Sequence, residues 1–146
     1  MYELKFTRRS VLKEGAPFKV MTANDVVKYI EKNCQPKEDQ WREQSWVLTL
    51  NAGHEITGHF LLSVGGTNAT MFDKKIVAKV AVDQLADAIV IVHNHPSGNC
   101  MPSRSDIKET GDIKKALDLF GIDLLDHIII ADEEYYSFAS EEKTKR

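Results

Sequence analysis

The chain has 146 residues, 42% of them hydrophobic and 28% charged, and a formal net charge of −3. That length fits one domain with a sizeable core and argues against two. No run of eighteen apolar residues occurs, and Met1-Tyr2-Glu3-Leu4-Lys5 lacks the apolar stretch of a signal peptide, so no membrane span and a cytoplasmic location are expected.

Taken in chain order, residues 2–6 alternate as a short strand does, and 22–32 open on cap-like polar residues with helical spacing at Val26, Val27 and Ile30. A polar linker covers 35–40. Residues 45–50 and 58–64 read as consecutive strands joined through Asn51-Ala52-Gly53-His54, whose Gly and Asn favour a hairpin. A helix is expected over 73–86, with Ile76, Val77, Val80, Ala81 and Leu85 apolar and Lys74, Lys75, Lys79 and Asp83 left for solvent. The run Ala88-Ile89-Val90-Ile91-Val92 is short, continuous and rich in β-branched residues, the pattern of a strand buried on both faces. An amphipathic helix over 106–120 and strands over 124–130 and 134–138 follow, and 142–146 read as a C-terminal tail. The elements make an α/β fold, a single-domain mixed β-sheet flanked by helices.

The densest chemistry lies between the strand at 88 and the helix at 106, in His93-Asn94-His95-Pro96-Ser97-Gly98-Asn99-Cys100-Met101-Pro102-Ser103-Arg104-Ser105-Asp106. An extension of the strand turns His93 and His95 to one side. Pro96, Gly98 and Pro102 shape a tight loop, and Asp106 falls in a first helical turn from which it can swing back toward the imidazoles. Two imidazoles and a carboxylate suit zinc in its catalytic form, with a fourth position for water. Such an ion lowers the pKa of a bound water from about 15.7 toward about 7. Ser103 with Asp106 also reads as a plain capping box, and the two roles are compatible.

The combination resembles the JAMM metalloprotease motif of the JAB/MPN family, and the wording His-Asn-His-Pro-Ser-Gly followed by Pro-Ser resembles its RadC branch. The resemblance runs from about Gln40 to Glu141, leaving 1–39 as an N-terminal extension packed on or preceding the domain. It implies a three-layer, cytidine-deaminase-like fold, Zn2+ held by His93, His95 and Asp106, and Ser103 helping to stabilise an oxyanion. It also implies an upstream catalytic Glu, for which Glu43, ahead of the strand at 45–50, is the match. Glu55, in the turn beside His54, is the competing acid. Full-length RadC proteins carry an N-terminal helix-hairpin-helix-like region for which this chain has no room, and nothing residing there is implied.

The expected activity is hydrolysis of a peptide or an isopeptide-linked protein substrate, with Glu43 moving the proton. Three other classes compete with this reading. The family name is associated with DNA repair, but a pI near 5.9 gives no general drive toward phosphate. Within residues 1–20, Lys5, Arg8, Arg9, Lys13 and Lys19 stand against Glu3 and Glu14, a local surplus of +3 that leaves −6 elsewhere. That arm lacks the interleaved aromatics of a single-strand stacking surface and reads as solvated or partner-docking. A non-catalytic MPN interaction module conflicts with the complete residue set, and a non-haem iron oxygenase has no work for Ser103 or Glu43. Cys34 and Cys100 lack metal-pair spacing, and Cys100 reads as a loop bystander. Oligomeric state is not legible.

Overall fold

The computed structural model describes residues 17–34, 41–65 and 72–146. The strand expected over 2–6, the basic residues Lys5, Arg8, Arg9 and Lys13, the linker 35–40 and the Gly66-Thr67 turn lie outside the described residues.

The first helix, α1, spans Ala23–Asn33. Thr22 starts it: its hydroxyl accepts the Asp25 amide at 3.3 Å, and the Asp25 carboxylate accepts the Thr22 amide at 2.8 Å. This reciprocal capping satisfies two amides that have no partner inside the helix. Strands β1 (Gln44–Leu50) and β2 (Ile56–Val64) form the expected antiparallel hairpin. Its turn is tied by Asn51, whose Oδ1 accepts the amides of Gly53 and Glu55, each at 3.0 Å.

Helix α2 (Lys74–Asp83) is shorter than the periodicity predicts. Val77 and Ala81 are buried, but Ile76 is 45% and Leu85 83% exposed. Leu85 lies past the helix end with φ of 49°, so the apolar spacing overran the real stop. Strand β3 (Ala88–Asn94) carries the expected buried run two residues further, through His93 and Asn94. Helix α3 (Arg104–Asp118) then leads to β4 (Asp123–Ile130) and β5 (Glu134–Ser137). Residues expected as a tail instead add β6 (Glu142–Lys145), paired antiparallel with β5. Its alternation of charged and polar residues is exposed throughout, so hydrophobic patterning gave no signal for a strand at this edge.

The strand order is β2-β1-β3-β4-β5-β6. β3 and β4 run parallel, joined by the α3 crossover, and the other neighbours are antiparallel. Side-chain alternation divides the core into two layers. Trp46, Leu48 and Leu50 of β1 and Ala88, Val90 and Val92 of β3 pack on Val26, Val27 and Ile30 of α1. Val47, Ile89 and Ile91 point the other way, onto Val77 and Ala81 of α2 and Ile113 and Leu117 of α3. The result is helix, sheet and helix pair in three layers. Cutting a fully buried side chain such as Leu117 to Ala costs about 2–5 kcal/mol. That contact matters because it anchors the helix whose first turn bears Asp106.

Candidate metal centre

His93 follows Ile89 and Ile91 on the α2/α3 side of β3, so the period of two that builds the core also delivers this imidazole to α3. It is fully buried. His95 sits just past the strand, where its amide donates to the Ile130 carbonyl at 2.8 Å. The chain then turns sharply, with the Gly98 amide returning to the His95 carbonyl at 3.1 Å and Gly98 at φ of 80°, a conformation that glycine adopts without strain. The turn brings the Asn99 carbonyl 2.8 Å from His95 Nδ1. A carbonyl only accepts, so Nδ1 carries the proton and the lone pair of Nε2 faces inward.

Asp106 arrives from the first turn of α3, three residues after the N-cap Ser103. Ser103 Oγ accepts the Asp106 amide at 3.0 Å, and Asp106 Oδ2 accepts the Ser103 amide at 2.7 Å. The capping box expected at this position is therefore formed. It also aims the carboxylate: Oδ1 lies 3.4 Å from His93 Nε2, and Oδ2 lies 3.5 Å from His95 Nε2. The two Nε2 atoms are 2.9 Å apart.

Burial opposes ionisation of Asp106, but the two imidazoles outweigh it and hold the carboxyl far below its ordinary range. For His95, burial pulls the pKa down, while Asp106 and the Asn99 carbonyl raise it, and the net direction is upward. Both shifts express one fact: the site attracts positive charge.

Glu43 immediately precedes β1, two residues before Ser45, which pairs with His93. Its Oε1 is 4.0 Å from His93 Nε2, and its side chain is 37% exposed. Glu43, His93 and His95 form a group whose ligand atoms lie within 4.8 Å of one another and which can hold a metal ion. Asp106 adds a second carboxylate to it, closer to both rings and 6% exposed. Glu43, His95, Ser103 and Asp106 line one side-open cleft of ≈ 430 Å³, together with Glu109. Glu55 and His54 lie beyond the opposite end of β1. There the Glu55 carboxylate accepts a 2.8 Å bond from Asn51 Nδ2, and His54 is exposed. Cys100 is fully buried against Ile129 and Ala131, in keeping with a bystander.

Three residues around the site escaped the sequence reading. Asn94, between the two histidines, accepts the Gln44 amide at 2.6 Å and donates to the Arg42 carbonyl at 2.9 Å, so one side chain brackets Glu43 from both sides. His127 and Thr110 stand behind His93, with His127 Nε2 2.8 Å from His93 Nδ1 and Thr110 Oγ1 2.6 Å from His127 Nδ1. Burial, with the nearby His93, pushes the His127 imidazole well below its ordinary pKa. The signal available for His127 was a polar pair, Asp126-His127, interrupting the apolar run from Leu124 to Ile130.

A family profile described as RadC-like JAB domain matches residues 20–144, a span that takes in α1 and all but the last residue of β6. Among similar curated proteins is a UPF0758 protein of Chlorobaculum tepidum, 34% identical over 94% of this chain and 60% of that protein. Another, from Porphyromonas gingivalis, is 45% identical over 68% of this chain and 44% of its own length. A third, from Carboxydothermus hydrogenoformans, is 37% identical over 83% of this chain and 52% of its own. The chain thus spans about half the length of the curated relatives it matches. The profile covers all three helices and nearly the whole sheet and includes the His93–Asp106 motif: the chain belongs to the RadC-like JAB domain family.

Proposed function

We propose that this domain is a zinc-dependent hydrolase of peptide or isopeptide bonds, with His93, His95 and Asp106 as metal ligands and Glu43 as the general base. The observation that carries the reading is the spacing of three donor groups. A tetrahedral ion with bonds of about 2.0–2.1 Å holds its donor atoms about 3.3 Å apart, and the separations here are 2.9, 3.4 and 3.5 Å. The donor chemistry agrees, since two imidazoles and one carboxylate leave a divalent ion with net positive charge. Glu43 is the farther and more exposed carboxylate, which suits a base that must reach water and substrate.

Zinc bound there would supply Lewis acidity and a water acidified toward neutral pH. Glu43 takes a proton from the attacking water and passes it to the leaving nitrogen. Ser103 Oγ already accepts the Asp106 amide, so its own proton is available to donate toward the developing oxyanion in the cleft. Asp106 is held by the Ser103 amide, which keeps one oxygen orientation toward each imidazole. Glu109 is held by Ser105 Oγ at 3.2 Å and gives the cleft a second acidic wall.

Elemental analysis of purified protein with turnover on a peptide and isopeptide library tests the reading. About one zinc per chain is expected, lost in His95→Ala and Asp106→Ala and kept in the nearly isosteric Glu43→Gln, which loses turnover. Full zinc retention by both ligand variants, iron in place of zinc with oxygen-dependent activity, or an active Glu43→Gln beside a dead Glu55→Gln would refute it.

A further inference from the structure

We propose that His127 and Thr110 are positioning residues that fix which nitrogen of His93 carries its proton, so that the inward Nε2 lone pair is set by the fold. The inference rests on the reading of His93 as a metal ligand.

The direction of the relay follows from its far end. Thr110 lies one turn after Asp106 on α3, and its Oγ1 is 2.6 Å from the Asp106 backbone carbonyl and 2.6 Å from His127 Nδ1. A hydroxyl has one proton and a carbonyl has none. The Thr110 proton therefore goes to the Asp106 carbonyl, because otherwise two oxygens would face each other at 2.6 Å with nothing between them. Thr110 then accepts from His127, which places the His127 proton on Nδ1. The lone pair of His127 is left on Nε2, 2.8 Å from His93 Nδ1, and His93 must donate to it. The remaining lone pair of His93 sits on Nε2, aimed at the point where His95 Nε2 and Asp106 Oδ1 converge.

Aromatic packing fixes the orientation of the His127 ring. Its ring is 1% exposed, stacks on Phe138 at 4.6 Å with 5° between the planes, and meets the edge of Phe72 at 5.2 Å. Phe72 also contacts His93, at 5.5 Å, so one aromatic wall holds both imidazoles. The register of β3 and β4 places Ile91 opposite His127, directly alongside the strand that carries His93. His95 obtains the same orientation from the Asn99 carbonyl. Each ring thus has its outer nitrogen committed to a donor role, and the relay from His93 ends on the backbone of Asp106, the third group of the site.

Zinc affinity of the full chain, measured by chelator competition, tests this without a substrate. Thr110→Val keeps the side-chain shape but neither accepts nor donates, and affinity is expected to fall about 10- to 100-fold, as for other outer-shell partners of metal-bound histidine. Thr110→Ser restores the hydroxyl and should bind zinc as the parent does. His127→Phe keeps the stack on Phe138 while removing the acceptor for His93, and should lose at least as much affinity. In nitrogen-15 spectra of the zinc-loaded parent, His93 and His127 should both be neutral with the proton on Nδ1. A His127 proton on Nε2, or parent-like affinity in Thr110→Val, overturns the relay. His95→Ala separates the two levels: zinc retained there overturns the metal reading itself, whereas zinc lost there with Thr110→Val unchanged overturns the relay alone.

Discussion

Asn94→Ala should separate the placing of Glu43 from the binding of metal. Its side chain accepts from Gln44 N and donates to Arg42 O, the two backbone groups that flank Glu43. Gln44 is buried, so its amide is left unsatisfied, at a cost of about 1–3 kcal/mol. Arg42 is exposed, and its carbonyl can turn to water at little cost. With a urea slope of about 1–3 kcal/mol/M, the midpoint should fall by about 1 M. His93, His95 and Asp106 keep their own supports, so zinc content should not change. A displacement of about 1 Å at Glu43 lowers turnover by about 100-fold. Urea titration, elemental analysis and library turnover measure the three quantities. Asn94→Asp retains the acceptor for Gln44 but sets a carboxylate oxygen against the Arg42 carbonyl, so it should keep more stability than Asn94→Ala. An unchanged midpoint with an unchanged Gln44 amide exchange rate, or zinc lost in step with activity, would refute this account of Asn94.

Gly65→Ala should have a similar kinetic signature from the other side, because an added Cβ would lie 2.8 Å from the Glu43 carbonyl oxygen, which the Gly65 amide now contacts at 2.5 Å. Turnover falling with zinc content intact is the expected result. Ser103→Ala should cost about 1 kcal/mol by loss of the N-cap, and Ser103→Asn should recover that stability in thermal melts because Asn also caps, without restoring the hydroxyl to the cleft. His59, whose Nδ1 is 2.9 Å from the Tyr29 hydroxyl, is held below its ordinary 6.5 by burial. The folded state then binds fewer protons than the unfolded one, so stability should fall as pH drops through 6.5 and level off below the folded-state pKa. Urea midpoints from pH 8 to 5 should show a shallower fall in His59→Gln than in the parent.

The elements most legible in the sequence were those whose pattern has one physical cause. The run 88–92 is apolar at every position because β3 is buried on both faces, and Ser103 with Asp106 marks a helix start because unpaired amides need acceptors. The residues of the candidate site were legible because His93, His95 and Asp106 come from one strand, one turn and one helix start in succession. What was not legible depends on pairing across the sheet. β6 is polar throughout and is a strand only because β5 offers it an edge. Asn94 looked like a spacer between two histidines, and its role depends on β1 lying alongside. His127 and Thr110 meet only because α3 crosses over to β4. Leu85 misled in the opposite direction, since apolar periodicity continued past the point where the backbone left the helix.

The placing of Glu43 is therefore a question of register. Ser45 pairs with His93, and that alignment is set by the core: Trp46 and Leu48 fill the α1 side while Val47 fills the α2/α3 side. A slip of one residue in β1 would exchange those faces, driving Trp46 toward α2 and α3 and exposing the mismatch to both layers. The cost of that exchange, several buried side chains at about 1.5–3 kcal/mol each, is what holds the acid beside the imidazoles. Asn94 and Gly65 then tune a position that the core has already chosen. Mutations in β1 that preserve volume but not alternation should consequently harm the proton-transfer step before they harm metal binding, because the three groups nearest one another belong to β3, the turn after it and the start of α3, and do not depend on where β1 starts.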